Sequence, residues 1–287
     1  MNIATGSLEL KANYSYNPFV KQKSVPDIPV SEIYKALSRT TAGISLKKNA
    51  RYEPFRHKTE DHKHWRSVLG PSAITYSHMK HVYKLTKRAL DHETQMNPKS
   101  HTSLEREMLL LASLCHDFGE AVLDQTSVGD VPAPLKKPDH EKKEREVFKK
   151  VLKSLELESK LKQKLLKSYL EVCHNKNSHL FKYFHLIEHI DYLDTGLHIY
   201  RSLTRLNKTL KRGKYVIGQI LTFSIPILVD EKRNHHPSTR RFIYTKRHEI
   251  TAMFKFCANE YRKAESQKKV IPGIDVAFMR WQQYSKA

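Results

Sequence analysis

The sequence predicts an all-α fold. From Ser72 onward, apolar residues recur at spacings of three and four, which is the period of an amphipathic helix. Thr102 and Glu105 match a capping box at the start of one such helix. Lysine-rich stretches between residues 140 and 174 keep their apolar residues on one face and their charges on the other. Together these observations favour a bundle of helices.

The charge of the chain is concentrated at its two ends. The 287 residues carry a formal net charge of +21. Residues 1–70 hold 12 basic and 6 acidic side chains, residues 71–200 hold 20 and 18, and residues 201–287 hold 19 and 6. Basic flanks attract phosphate groups through a field that salt screens, so nucleic acid is a candidate partner. A basic protein with no nucleic-acid partner is an equally good explanation.

Several classes of protein do not fit the pattern. The apolar run at residues 215–229 is shorter than the roughly 18–20 residues of a membrane helix and contains Pro226, so we expect buried core and no membrane contact. The first residues lack the basic patch and apolar stretch of a secretory signal. Three widely spaced cysteines argue against a disulfide framework and a thiolate zinc site. We expect a cytoplasmic location, and basic additions to a compact enzyme would suit a phage or viral source.

The N-terminal region is predicted to contain little regular structure. Residues 1 to about 30 mix Asn, Ser, Pro and Lys without a period and are predicted to be an irregular lead-in. A helix is predicted near residues 31–38. Residues 39–65, RTTAGISLKKNARYEPFRHKTEDHKHW, are predicted to form a loop.

The first core helix is predicted over residues 72–90. Its apolar face contains Ile74, Val82, Leu85 and Ala89. His78 lies at the centre of that face, and His81 lies about 60° away at its edge.

The second core helix begins at the capping box and ends in two polar residues. It is apolar nearly all round between residues 108 and 115, so we expect it to be buried. His116 and Asp117 close it. Burying either side chain without a partner is costly, so the pair requires an explanation.

The remaining helices are predicted from charge and apolar spacing. Residues 140–156 and 158–174 form a charged pair that turns inward Val147, Val151, Leu161, Leu165 and Tyr169. A last core helix, residues 184–203, carries on one stripe Ile187, Asp191, Asp194 and His198. Residues 208–287 give mixed signals: a β-like or buried apolar run, a turn at 234–239, a helix near 248–264 and a final segment at 275–284.

Three of these helices each direct metal-binding side chains toward the interior. They carry His78, the His116–Asp117 pair, and Asp191 or Asp194. Imidazole and carboxylate ligands suit a hard or borderline divalent ion, which would offset the cost of burying them. A single histidine on an apolar face is more often a hydrogen-bonded core residue, and the chain has 17 histidines. The order of these residues on successive inward faces is what favours a metal site.

The order His78, His116-Asp117 and Asp191 resembles the HD superfamily of metal-dependent phosphohydrolases, which are all-α proteins. HDFGE followed by GDVPAPLKK is similar to the branch that contains the bacterial 5′-deoxynucleotidases and their eukaryotic relatives. That branch pairs an HD-x-x-E motif with a G-D-x-P-x-P-x-K loop. The resemblance covers about residues 72–200 and selects Asp191 over Asp194. It implies an HD helical core at 71–205. An irregular or helical N-terminal region at 1–70 and a basic C-terminal extension at 206–287 are predicted to flank this core, and nothing in the family pattern accounts for the extension.

The resemblance also implies a mechanism. One divalent ion, which could be Mn, Co, Zn, Mg, Ni or Fe, is expected to be held by His78, His116, Asp117 and Asp191. Such an ion would lower the pKa of the water that attacks phosphorus. Glu120 lies about one helical turn beyond Asp117, and we assign it proton transfer.

Four further residues are candidates for catalysis or substrate binding. Asp130 follows a glycine and precedes two prolines that stiffen its loop, and it is expected to hold a ribose hydroxyl or assist proton transfer. A turn aspartate bonded to its own backbone is the alternative. Arg51 and Tyr52 are candidate phosphate-binding residues if the chain carries an insertion across about residues 58–70. Lys136 is another candidate, although a solvated surface position is the simpler explanation.

The leading functional hypothesis is hydrolysis of a nucleoside 5′-monophosphate, best a deoxynucleotide, to nucleoside and phosphate. Because related HD sites also remove triphosphate from dNTPs or cleave phosphodiesters in signalling nucleotides or oligonucleotides, these reactions are alternatives. A third hypothesis is a nucleic-acid-binding protein with a non-catalytic HD site. It rests on basic residues of the extension interleaved with Tyr200, Tyr215, Phe242 and Tyr244. A homo-oligomer is left open.

Overall fold

The structure is a computed structural model that describes residues 27–52, 56–59, 61–122, 138–206, 208–230 and 235–286. Regular structure in these ranges is helical, apart from one isolated antiparallel bridge between Ala50 and Ile74, so the all-α prediction is confirmed. The helices are α1 (Val30–Ser38), α2 (Thr41–Lys48), α3 (His62–Leu69), α4 (Thr75–Met96), α5 (Ser103–Cys115), α6 (Pro138–Ser154), α7 (Ser159–Tyr169), α8 (His179–Thr204), α9 (Gly213–Leu228), α10 (Pro237–Ser266) and α11 (Ile274–Lys286).

The N-terminal region contains more helix than the sequence predicted. Helix α1 confirms the prediction near residues 31–38. The predicted loop at residues 39–65 is wrong, because α2 and the start of α3 lie within it. The side chain of Thr40 accepts a hydrogen bond from the Gly43 amide, and that of Asp61 accepts one from the His64 amide, so each helix has a capped N-terminus. The lead-in lies outside the described residues as far as residue 26.

Helices α4 and α5 confirm the two core helices. His78 on α4 is buried and His81 is half-buried, as their positions on the helix predict. The capping box is present, because the Glu105 amide donates to Thr102 and the Glu105 carboxylate accepts from the Thr102 amide. Every residue of α5 from Met108 to its end is buried. A 3-10 helix, His116–Val122, continues directly from α5.

Helices α6 and α7 confirm the charged pair. Val151, Leu165 and Tyr169 are buried and the Lys149 and Lys150 side chains are exposed. The ring of Phe148 stacks on that of Tyr169 at 3.6 Å between centroids, which joins α6 to the end of α7. A π-helical turn, Leu170–His174, then leads to α8.

Helix α9 resolves the ambiguous apolar run as a buried helix. Its buried residues lie on all sides, which is why its sequence lacks the polar face of a surface helix. Helix α9 packs along α8 and also contacts α10 and α11. The close approach to α10 depends on Gly218, since a Cβ there would lie 2.2 Å from the ring of Tyr261. Whether residues 206–287 are a separate extension stays a prediction.

Helix α10 is longer than predicted and begins at Pro237, so residues 237–239 are its first turn and not part of a loop. Proline suits the first position of a helix because its missing N–H has no intrahelical acceptor there. Helix α11 covers the predicted final segment, and the indole of Trp281 donates to Thr251 of α10 at 2.9 Å. Across the described ranges, none of the helices has the length and apolar content needed to cross a bilayer.

A cluster of histidines joins the turn after α4 to the starts of α8 and α10. The ring of His101 lies 4.8 Å from that of Tyr183 and 6.4 Å from that of His236, between centroids. The Nδ1 atom of His101 is buried and has no hydrogen-bond partner among the described residues. Burial is the main reason that the pKa values of His101 and His236 are lowered to about 4.

The cysteines are thiols within the helical core. Cys115 at the end of α5 and Cys257 on α10 are buried, and Cys173 is half-buried. Burial raises the pKa of each of the three thiols.

Candidate metal centre

Helix α4 and the 3-10 helix after α5 bring three predicted ligands together. The Nε2 atom of His78 lies 3.1 Å from Nε2 of His116 and 3.4 Å from Oδ2 of Asp117. The same carboxylate oxygen lies 3.3 Å from Nε2 of His116. One ligand atom from each residue lies within 4.8 Å of the others, so this buried group could hold a metal ion. Two imidazoles and a carboxylate suit a divalent ion.

The local fold fixes the His116 side chain. Its Nδ1 atom lies 3.1 Å from the carbonyl oxygen of Ser113 on the last turn of α5. A proton on Nδ1 satisfies that carbonyl and leaves the lone pair of Nε2 directed at the cluster. The ring also packs edge-on against Phe184 of α8, with centroids 5.5 Å apart. The end of the apolar helix α5 thus lies next to the other predicted ligands, which explains why polar residues follow it.

Asp191 contacts the opposite nitrogen of His78. Its Oδ2 atom lies 3.0 Å from His78 Nδ1, and its Oδ1 atom accepts a 2.7 Å hydrogen bond from Ser72. Asp191 is fully buried at the centre of α8. It therefore lies beside the cluster and is positioned to orient the His78 ring. Asp194, one turn further along α8, lies 3.3 Å from His81 instead.

Arg51 and Tyr52 both lie at the site. The Nη1 atom of Arg51 lies 3.2 Å from Asp191 Oδ2 and 2.7 Å from His78 Nδ1. Arginine only donates hydrogen bonds, so a bond from Arg51 to His78 requires an unprotonated Nδ1. With Nδ1 protonated, the His78 ring donates to Asp191 instead and keeps Nε2 available for an ion, and Arg51 donates to Asp191. The Arg51 guanidinium lies 5.4 Å from the centre of the Tyr52 ring. Tyr52 has a positive φ of 58°, an uncommon conformation for a tyrosine and one that clusters at functional sites.

Electrostatics keep the cluster charged although it is buried. Burial raises the pKa of Asp117, but the adjacent imidazole of His116 lowers it by more, and the result is below its usual range. Burial likewise raises the pKa of Asp191, and His78 and Arg51 lower it by more. Burial lowers the pKa of His116, but Asp117 raises it by more, and the result is about 9. The two carboxylates thus depend on positively charged neighbours and His116 on Asp117, and a bound metal ion would take the place of a proton on the imidazoles.

Glu120 lies at the same site. Its Oε2 atom accepts a hydrogen bond of 3.4 Å from Thr75 at the start of α4. The 3-10 helix that carries Glu120 packs closely on α6, since a Cβ at Gly119 would lie 2.6 Å from the carbonyl oxygen of Glu144.

The cluster opens into a cavity of about 440 Å³. Helices α6, α8 and α9 and the π-helical turn contribute to its walls, together with Arg51, Tyr52 and Glu120. Aromatic rings of Phe184, Tyr192 and Phe223 face it. A mostly apolar cavity with a few convergent polar groups is the usual form of a small-molecule site.

The cavity also contains polar residues that the sequence analysis did not select. His185, Glu188 and His189 lie at i, i+3 and i+4 of α8 and face the cavity together. The Nε2 atoms of His185 and His189 lie 3.2 Å apart. The stretch HLIEH carried this signal, since its spacing places all three side chains on one side of a helix.

Asp130 and Lys136 lie outside the described residues, so their predicted roles stay predictions. The other predicted site residues lie within the cluster or line its cavity, apart from Asp191. That residue contacts Nδ1 of His78, the ring nitrogen that does not face the cluster.

No family model, curated protein or solved structure matches this chain.

Proposed function

We propose that the chain is a metal-dependent phosphohydrolase of the HD type that hydrolyses nucleoside 5′-monophosphates, best deoxynucleotides, to nucleoside and phosphate. The observation that carries the proposal is the buried convergence of His78, His116 and Asp117 at the head of a cavity. Unpaired ionisable groups are costly to bury, and a divalent ion would offset that cost. The HD-x-x-E motif lies within this convergence.

The residues of the site suit hydrolysis of a phosphate ester. A divalent ion held by His78, His116 and Asp117 would polarise a phosphoryl oxygen and promote attack by water. Glu120 is placed to take a proton from the attacking water and return it to the leaving oxygen as the ester bond breaks. Asp191 holds the His78 ring in the orientation that the cluster requires. The aromatic walls would pack against the nucleoside.

The charge of the cavity favours a substrate with one phosphate. Its described lining residues include the carboxylates of Asp117, Glu120, Glu141, Glu144 and Glu188. The basic lining residues include Arg51, which pairs with Asp191, and Lys176, which pairs with Glu141 at 3.0 Å. A triphosphate would bring more negative charge to a wall already rich in carboxylates. This supports the monophosphate hypothesis over the triphosphate alternative.

The direct test is a panel of deoxynucleoside mono- and triphosphates with Mn²⁺ or Co²⁺. We expect inorganic phosphate from the monophosphates. Release of tripolyphosphate from a dNTP, or of a linear nucleotide from a cyclic one, would replace the monophosphate proposal with one of its alternatives. No product from any nucleotide would leave only a non-catalytic metal site.

Glu120→Gln separates catalysis from metal binding. We expect the variant to keep its metal and to lose turnover by about 10²- to 10⁴-fold, because an amide cannot transfer the proton. Metal content is measured by mass spectrometry and turnover by phosphate release. Glu146→Gln, an exposed change on α6, is the matched control and should retain activity. Full turnover by Glu120→Gln would refute the role assigned to this residue.

A further inference from the structure

A second cavity, of about 770 Å³, opens between α1, α2 and α4. Lys35 of α1, Lys47 of α2, and Lys80 and Lys84 of α4 line it, and it is called the lysine cleft below. It lies on the far side of α4 from the metal cluster, since Lys80 follows His78 by two residues, about 200° around the helix axis. It is thus separate from the proposed catalytic site.

The positive charge of the lysine cleft is not neutralised by its lining. None of its described lining residues is acidic, and none of its four lysines forms an ion pair within the described ranges. Partial burial lowers the pKa of Lys80, and Lys47 and Lys84 lower it further. Tyr83 lies at one edge of the cleft. Burial raises its pKa, and the nearby carboxylates of Asp27 and Asp91 raise it further. Like charges held this close would be relieved by a bound anion.

Tyrosine rings hold two of the ammonium groups in place. The Nζ atom of Lys80 lies 4.7 Å from the centre of the Tyr34 ring and 4.8 Å from that of Tyr76. The Nζ atom of Lys47 lies 5.1 Å from the centre of the Tyr76 ring. A cation–π contact at an exposed site is weak and leaves the charge in place. The lysines are therefore oriented without being neutralised.

The dimensions of the cleft suit several phosphates in a row. Tyr76 and Lys84 are eight residues apart on α4, which is about 12 Å along the helix axis. Lysines from two other helices widen the basic surface beside this line. The rings of Tyr76 and Tyr83 are partly exposed, and unpaired bases stack on such rings. We propose that the lysine cleft binds the backbone of a single-stranded nucleic acid.

The test measures binding of the full-length protein to a fluorescent oligodeoxythymidylate of about 20 nucleotides by anisotropy, from about 50 mM to 300 mM salt. The variant replaces three lysines: Lys47→Gln, Lys80→Gln and Lys84→Gln. Each phosphate contact contributes about 0.7 to the slope of log affinity against log salt, so we expect the slope to fall by about 2. At about 0.1 M salt the loss of affinity should be on the order of 100-fold.

The matched control carries the same change of charge on another surface. Lys142→Gln, Lys149→Gln and Lys150→Gln alter exposed lysines of α6 and should leave most of the affinity intact. An equal loss in the control, or no binding by the unmodified protein at about 50 mM salt, would overturn the proposal. So would tight binding of a nucleoside triphosphate with no binding of the strand. Thermal unfolding verifies that each variant is folded, and Lys84→Gln alone serves if the triple variant is not.

Hydrolysis of a mononucleotide by the lysine-cleft variant should be unchanged, because the cleft and His78 occupy different faces of α4. This readout keeps the two proposals separate. The strand could bind to a protein without phosphatase activity, and the phosphatase could act without binding a strand.

Discussion

The two ring nitrogens of His78 contact different partners. Nε2 faces His116 and Asp117, and Nδ1 faces Asp191 at 3.0 Å. A neutral imidazole is protonated on one nitrogen only, so the proton directed at Asp191 leaves Nε2 with its lone pair. The resemblance assigned both aspartates the same role. The geometry distinguishes them by the nitrogen that each one contacts.

Asp117→Asn should weaken metal binding more than Asp191→Asn does. Loss of a residue that orients a ligand lowers affinity by about 10- to 100-fold, and loss of the ligand itself should exceed that range. Titration calorimetry with Mn²⁺ measures both. Asp194→Asn, which changes the half-buried partner of His81, is the control and should be near the unmodified protein. Equal losses for Asp117→Asn and Asp191→Asn would indicate that both carboxylates hold the ion directly.

Part of the site could be predicted residue by residue from the sequence. His78, His116 and Asp117 lie on or beside apolar helix faces, and the periodicity of those faces is local information. The position of Arg51 is different, because it depends on the bridge between Ala50 and Ile74 that lays the segment after α2 beside α4. Pairing of distant backbone segments leaves no local periodic signal, which is why Arg51 was connected to the site only through the family resemblance.

At the scale of elements, the 3-10 helix after α5 is held against α6 by close backbone packing. Gly119 meets the Glu144 carbonyl with no room for a side chain. One turn further along the same face of α6, the ring of Phe148 lies 6.0 Å from that of Phe118 and stacks on that of Tyr169. The ligands at the start of the 3-10 helix and Glu120 near its end are thereby held at a fixed distance from α7.

Gly119→Ala should destabilise the protein and disturb the metal cluster. The added Cβ would approach the Glu144 carbonyl to 2.6 Å, and backbone atoms cannot move aside cheaply. Overpacking of this kind costs about 1–3 kcal/mol. Chemical denaturation gives the free energy of unfolding, and metal titration reports the cluster. Lys149→Ala on the exposed face of α6 is the control, and a Gly119→Ala variant as stable as this control would show that the contact is not tight.

The histidine cluster between α5, α8 and α10 should make stability depend on pH. His101 has a pKa of about 4 in the folded protein, against about 6.5 for an unperturbed histidine. The unfolded chain therefore binds more protons between these values, and the free energy of unfolding falls as the pH falls from about 6.5 to about 4. Burial is the main cause of the lowered pKa of His101. Among its charged neighbours, Glu105 raises this pKa, and His179 and Arg106 lower it.

His101→Phe should reduce this loss of stability in acid, since phenylalanine keeps the packing on Tyr183 and takes up no proton. The melting temperature of each protein is measured at pH values of about 7 and 5. Between these values it should fall by a few degrees less for the variant than for the unmodified protein. His248→Gln changes an exposed histidine and serves as the control. An identical acid response in His101→Phe and the unmodified protein would exclude His101 as the source.

The sequence predicted long helices better than short ones. Helices α4, α5 and α8 each present several turns of periodic apolar residues, so their existence follows from local pattern. Helices α2 and α3 have eight residues each, too few to show a period above chance. Their caps at Thr40 and Asp61 were the available signal, since such residues commonly begin helices. Helix α10 begins before the predicted start near residue 248, because tertiary packing stabilises its basic first turns as helix.

At the scale of the whole molecule, helix α4 separates two surfaces of opposite character. One side faces the metal cluster and a cavity with many carboxylates, and the other side forms the lysine cleft. The positive charge of the four cleft lysines thus lies outside the proposed catalytic cavity. A polyanion would be directed to the cleft, and a substrate with little charge could enter the cavity.

The buried thiols of Cys115 and Cys257 offer a chemical reporter of local opening in the helical core. Cys115 immediately precedes the metal cluster and Cys257 lies on α10, and both are protected in the closed state by burial and a raised pKa. Alkylation of each thiol, followed by peptide mass spectrometry, therefore records local opening at its own position. Because α9 packs on both α8 and α10, we expect the two cysteines to be modified at the same rate, as in one cooperative unit. Faster modification of Cys257 would mean that the C-terminal helices detach while the core stays closed.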